Sequence, residues 1–341
     1  MKESQPYRIA GLALAVAIGL TGHALAEDFY AGKRVIMIVG APPDGSYATY
    51  SRTLANHLPK HIPGNPTIEL EYRGGGGGGL DTANYMDNAA PQDGTAFGIT
   101  QQTIPVNQFI RPKSGRYDVT KWQWVGGIAP VRNMLALWHA CPVQSIEDAK
   151  KEATKVGATA KSSPMFIVPQ MMNHFLGTKF DIVLGYDGVA ATNLAMEQGE
   201  ICGRGASWVS VLSGAPHYAE KKLLKPIVVD GAKRDPALPD VPTLLELAQT
   251  DEQRQAFQVV AASATFGRSY FFPAGAPKEA VETMRKAFEE TMKDPDFLAE
   301  AKAQKISVEP VSAEELQQAV EELTKIPPET LQAIGKVMAG S

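Results

Sequence analysis

The chain has 341 residues, with 33 Lys and Arg against 37 Asp and Glu, giving a net charge of −4 at pH 7. Past the N-terminal segment no apolar run approaches the roughly 20 residues of a membrane-spanning helix, and no basic cluster exists to neutralise nucleic-acid phosphates or anionic lipid headgroups. The 315 residues that follow position 26 exceed one typical core and predict two lobes.

Lys2 and Arg8 form a basic start, Ile9 to Leu20 carries no charge, and Ala24-Leu25-Ala26 is the small-x-small pattern of a cleavage site. Residues 1–26 therefore read as a signal peptide cut near Ala26. No Cys follows the apolar stretch to take a lipid, so a freely soluble exported chain is expected. Without Lys2, Glu3 and Arg8 that chain keeps 31 basic and 36 acidic residues. Export permits a disulfide between Cys141 and Cys202. Sequence alone does not tell whether they lie within bonding distance, and two buried free thiols are the alternative.

Along the chain, strands alternate with helices. Arg34 to Gly40 is an apolar, β-branched run that resembles a buried parallel strand. A helix follows, with Tyr47, Tyr50, Leu54, Leu58 and Ile62 at helical spacing and Ser46 placed as N-cap. Thr67 to Tyr72 alternates as a strand. Gly74 to Gly79, a short helix through Ala83 to Ala89 and a strand from Thr95 to Thr100 come next. The second half repeats the scheme. Strands are expected at Met134–His139, Lys179–Leu184, Ile201–Ala206 and Pro226–Asp230, and helices at Ser145–Lys155 and Val189–Gln198. Gly199 sits where a helix-stopping glycine belongs. Pro277 opens a further helix running to about Lys293, and Ser312 to Glu315 is a capping box. Strand, loop, helix, strand in succession predicts parallel sheets with crossover helices.

In such sheets ligands sit beyond the carboxyl ends of strands. Three loops have that position: Pro43 to Tyr47, Gly74 to Gly79, and Gly185 to Ala190. Helix N-termini there offer unpaired N–H groups and partial positive charge for a carboxylate. Each loop also reads as an ordinary turn. The six-glycine run matches a dinucleotide fingerprint trivially and lacks the acidic residue that should follow, and Leu80-Asp81 replaces the Gly-Lys-Ser/Thr of a phosphate loop. Arg204 could pair bidentately with a ligand carboxylate or hold Asp187; Trp208 could be a pocket wall or a core residue. His57 and His61, four apart, could clip a metal or mark a solvated helix end. No nucleophile elbow, Ser-x-x-Lys or His-Glu-x-x-His motif occurs, so neither catalytic nor metal-binding residues are expected, and no cofactor.

The order of motifs resembles the substrate-binding proteins of tripartite tricarboxylate transporters, the TctC or Bug family. The resemblance rests on Tyr30 to Arg34 before an apolar strand, Pro43-Asp44-Gly45, and Ala90 to Thr95 (APQDGT). It also rests on Gly185 to Gly188 with Gly199-Glu200, Leu238 to Thr243 (LPDVPT), and Pro273 to Pro277 (PAGAP). It implies a type II periplasmic-binding-protein fold, two α/β lobes joined by two crossovers, with lobes at 27–128 plus 250–341 and at 129–249. It further implies a periplasmic, monomeric protein that passes a small organic acid to membrane transporter subunits. Carried over by position, the ligand would rest on Gly45, Ser46 and Tyr47 with Gly188, Val189 and Ala190. Gly76 and Gly77, Gln101, Thr192, Asn193, Arg204 and Trp208 would add contacts. Two departures stand out. Asp44 occupies the second place of the family's Pro-Gly-Gly and Ala48 its later Asp, and glycines replace the family's Pro in the second loop. A sensor presenting the ligand to a membrane kinase, or a secreted enzyme on this scaffold, are the competing readings.

Overall fold

The computed structural model describes Met1 and residues 29–340, apart from 44, 45, 74, 75 and 187. The signal peptide expected over residues 1–26 lies, Met1 excepted, outside the described residues, as do Asp44, Gly45 and Asp187. The first half runs β1 (Arg34–Val39), α1 (Ser46–His57), β2 (Thr67–Tyr72), α2 (Gly76–Asn88), β3 (Ala96–Ile99), α3 (Ile104–Ile110) and β4 (Gln123–Gly127). The middle runs β5 (Met134–Trp138), α4 (Ile146–Lys151), β6 (Thr154–Gly157), α5 (Pro164–Leu176) and β7 (Phe180–Val183). It continues through α6 (Gly188–Glu197), β8 (Gly203–Ala206), α7 (Trp208–Gly214), α8 (Pro216–Glu220) and β9 (Leu224–Val229). Then come α9 (Asp251–Thr265), β10 (Ser269–Phe272), α10 (Lys278–Thr291), α11 (Pro295–Ala303), α12 (Ala313–Thr324) and α13 (Pro328–Met338).

These strands form two five-stranded sheets of matching pattern, β2-β1-β3-β10-β4 and β7-β6-β8-β5-β9. The fold is the type II two-lobe α/β arrangement. Neither sheet is wholly parallel, which departs from the reading of the alternation alone. β10 runs antiparallel to β3 and β4, and β5 runs antiparallel to β8 and β9. Both strands arrive through a crossover, so they enter from the end at which the neighbouring strands leave.

Local chemistry explains the elements. β1 is paired on both sides, by β2 and β3, and Val35, Met37 and Val39 are fully buried. This is why its sequence is continuously apolar. α12 begins with the reciprocal Ser312–Glu315 capping box, and Gly199 follows α6 with φ of +76°. Ser46 is the first helical residue of α1 rather than its cap. His57 and His61 neither clip a metal nor end in solvent. His57 Nε2 lies 2.7 Å from Glu300 and His61 Nε2 lies 2.8 Å from Asp294, tying the end of α1 to α11. Cys141 and Cys202 form a disulfide.

The sequence reading placed no strand at β4, β6 or β10, and no helix at α5. Pro169 lies inside α5 and forfeits a helical hydrogen bond, a cost of roughly 3 kcal/mol. The surrounding Met165, Phe166, Val168, Met171 and Met172 are buried, and this packing holds the helix across the proline. One apolar core runs through both lobes: Phe257 and Val260 of α9, Met171 and Met172 of α5, and Ile334 and Met338 of α13 belong to it. α13 packs against α3 and also against α5.

The two crossovers lie side by side. Ile128 N–H donates to Arg268 O and Arg268 N–H to Ala129 O, both at 2.9 Å, and Val131 N–H donates to Ala264 O at 2.9 Å. On the other side, Gly127 and Val311 exchange hydrogen bonds of 2.8 and 2.9 Å. Gly267 permits this approach. A Cβ there would stand 2.4 Å from Val131 N and 2.5 Å from Ala129 O.

Candidate functional site

A cavity of about 450 Å³ opens beside the crossovers. Its walls are the start of α1 (Ser46, Thr49, Tyr50), the first crossover (Pro130, Val131, Arg132), and Ser207 to Ser210 with Leu212 at α7. Asp235 to Ala237, Arg268, the stretch Gln304 to Ser307 and Glu309, which is paired with Arg132, close it. Both sheets thus contribute, through elements leaving the ends of β1, β4 and β8.

Arg268 is the chemically distinctive group. It is 8% exposed, and its Nη2 donates to Ser46 Oγ at 3.0 Å. Its guanidinium carbon lies 3.9 Å from the Tyr47 ring centroid and 5.1 Å from that of Tyr50. Nη1 reaches only the neighbouring Gly267 carbonyl at 3.3 Å, and Nε has no hydrogen-bond partner among the described residues. No ion pair joins Arg268 to a described carboxylate. Burying a permanent cation without a counter-charge is costly, and two aromatic faces offset only part of that cost.

The rings are themselves held. Tyr47 Oη accepts from Gln102 N–H at 3.0 Å, and Tyr50 Oη accepts from Ser307 N–H at 2.9 Å. Burial raises the Tyr50 pKa, partly opposed by Arg268 and the Ser307 amide, so its hydroxyl stays neutral. Tyr270 lies beneath, its hydroxyl 3.4 Å from Ser51 Oγ, and burial raises its pKa as well.

The residues nominated from sequence divide into groups. Ser46 and Trp208 line this cavity from opposite lobes, with Trp208 half-buried as a wall. Tyr47 supports Arg268 at its edge. Gln101 lines a different cavity, beyond Gln102. Gly76 and Gly77 open α2, and Gly188, Val189 and Ala190 open α6, where Gly188 has φ of +85° and open space around it. Thr192 is fully buried and its hydroxyl donates back to Val189 O at 2.9 Å. Asn193 Oδ1 accepts from Arg204 Nε at 2.7 Å. Arg204 is 1% exposed, and burial pushes its guanidinium down to about 10, with Tyr218 acting the other way. It braces α6 from below instead of reaching the cavity.

Arg268 was not among the nominated residues. A signal existed: it stands between Gly267 and the wholly buried strand Ser269–Phe272, a place where a charge is unexpected.

A protein from Cupriavidus necator described as a UPF0065 protein in the gbd 5′ region is 26% identical over 298 residues, covering 84% of each chain. A TctC solute-binding protein from Polaromonas, solved without ligand, has a TM-score of 0.70 at 16% identity, covering 92% of this chain and all of its own. MatC from Rhodopseudomonas palustris, solved with bound malate, has a TM-score of 0.58 at 18% identity, covering 89% of this chain and 99% of its own. The model of the tripartite tricarboxylate transporter family receptors, TctC, matches residues 51–335. The chain belongs to that family of periplasmic solute-binding proteins.

Proposed function

We propose that this chain captures a small organic acid between its two lobes, anchors one carboxylate on Arg268 and Ser46, and presents it to a tripartite tricarboxylate-type membrane transporter. The lobes are assigned to residues 27–128 with 250–341 and to 129–249. The observation that carries the reading is the buried Arg268 guanidinium with an unused Nε–H and no ion pair to a described carboxylate. A carboxylate supplies what this group lacks, namely charge neutralisation and acceptor lone pairs in a planar fork. α1 begins beside it and adds positive potential from its N-terminus. Trp208 and Tyr50 form apolar sides for the carbon skeleton. The disulfide accords with an exported protein, since such bonds persist in oxidising compartments.

The role is binding without turnover. Titration calorimetry with malate, the molecule bound in MatC, and with a panel of other mono-, di- and tricarboxylates tests it. At least one acid binds with micromolar affinity and does so through Arg268. Absence of heat from every acid overturns the reading.

A further inference from the structure

A second cavity, of about 460 Å³, lies on the other side of Gln102. The Gln102 side chain reaches the Val131 carbonyl at 3.4 Å, and its amide is held by Tyr47 Oη; this contact stands between the two compartments. The second cavity is enclosed by the end of β3, α3, the start of α5, α9 and the tip of α13. Its titratable lining groups are Asp230 and Arg111.

Asp230 is 3% exposed. Its Oδ1 accepts from Asn133 N–H at 2.6 Å and its Oδ2 from Asn133 Nδ2 at 2.9 Å, so each oxygen retains an unused lone pair. No described cation forms an ion pair with it. Arg111, by contrast, is exposed at the end of α3 and makes no described side-chain bond. One compartment therefore has a carboxylate at its floor and a guanidinium at its rim. Gln101, Asn107 and Ser162 supply neutral polar groups, and Val106, Ile110, Ile167 and Val260 form an apolar wall.

We propose that this compartment is a separate site for a zwitterionic amino acid with an apolar side chain. The ammonium meets Asp230, the carboxylate meets Arg111, and the side chain lies against the Val106–Val260 wall. A simple acid or a simple amine satisfies only one pole and leaves the other unpaired, which is the penalty that gives such sites their selectivity. The site stands apart from the Arg268 cavity and does not depend on the reading given to that cavity.

Burial raises the Asp230 pKa to about 7, opposed by the Asn133 hydrogen bonds and by Arg132 on the crossover. The ammonium needs the ionised form. Affinity is therefore full at pH 8 and falls about tenfold by pH 6, where roughly one molecule in ten is ionised.

The experiment is titration calorimetry at pH 8 with leucine, valine and phenylalanine, set against 4-methylpentanoate and isopentylamine, which each lack one pole of leucine. At least one amino acid binds, and removing either pole weakens binding tenfold or more. Asp230→Asn retains the clasp if the Asn133 amide turns over, and weakens amino-acid binding at least tenfold while abolishing its pH dependence. Arg111→Gln, at an exposed position that does not threaten folding, weakens it similarly. Neither substitution alters binding of organic acids in the Arg268 cavity. The inference is overturned if none of the three amino acids binds at pH 8. Equal binding of 4-methylpentanoate, or undiminished leucine binding by Arg111→Gln, overturns it too.

Discussion

Arg268 lies over the ring of Tyr47, its guanidinium carbon 3.9 Å from the ring centroid, while the Tyr47 hydroxyl is fixed by the amide of Gln102. The ring thereby sets the plane of the guanidinium and leaves its Nε edge without a described partner. A cation pre-oriented in this way loses little further freedom when an acid arrives.

Arg268→Gln is expected to weaken organic-acid binding about tenfold to a hundredfold, the range for removing a charge-assisted hydrogen bond of roughly 1.5–3 kcal/mol. Calorimetry measures it. Arg268→Lys recovers only part of the affinity, because an ammonium keeps the charge without the planar fork.

Gly267→Ala is expected to destabilise the fold by about 1–3 kcal/mol or more, as overpacking does. The added carbon would stand 2.4 Å from the backbone of Val131, which cannot turn aside as a side chain can. A lowered urea midpoint checks it. An unchanged midpoint would mean that the two crossovers separate readily.

Reduction of the Cys141–Cys202 bridge frees a loop with a sequence separation of 61 residues. The loop-entropy relation gives a loss of about 4 kcal/mol on that account. A thermal melt with and without reductant should therefore differ by several degrees, and the Cys141→Ser, Cys202→Ser double variant should match the reduced protein.

Asp294 is buried at the start of α11, and that burial raises its pKa. Hydrogen bonds from Lys60, His61 and the Asp296 amide outweigh the rise and hold the pKa well below the usual carboxylate range. A depressed pKa contributes stability that is present above the unfolded value and is lost as pH falls through the folded one. Asp294→Asn keeps a cap oxygen but removes the charge that Lys60 and His61 face, and is thus expected to cost about 1–3 kcal/mol at pH 7, as weakening of charge-assisted hydrogen bonds does. The gap to the parent protein should narrow only below about pH 4. Urea midpoints at pH 7, 4 and 2.5 follow it.

The elements that carried a clean local signal were legible in the sequence. The apolar run of β1, the Ser312 capping box and the glycine after α6 all lie where the residues pointed. α5 did not announce itself, because Pro169 argues against a helix and only tertiary burial overrides it. The antiparallel direction of β5 and β10 was invisible to pattern reading for another reason. Strand direction depends on which lobe the chain has just left, a long-range property that local periodicity does not encode. Of the nominated residues, Ser46 and Trp208, which drew notice as a loop residue and an aromatic, line the cavity wall. Arg268 was overlooked because it precedes an apolar strand far along the chain from the glycine loops, and only the adjoining crossovers bring it to Ser46. Arg204, singled out for its charge, gives its Nε to Asn193 and does not line this cavity, while its Nη2 has no described partner.

α13 touches α3 on one side and α5 on the other, so the last turns of the chain strap one flank of the molecule. Among the described residues, no helix packs extensively against both α1 and α7 on the opposite flank. A shell held in this way, like a book bound along one edge, is expected to breathe most at its free edge. A fusion appended after Met338 would load the binding instead of the pages, at a residue that itself lines the second cavity.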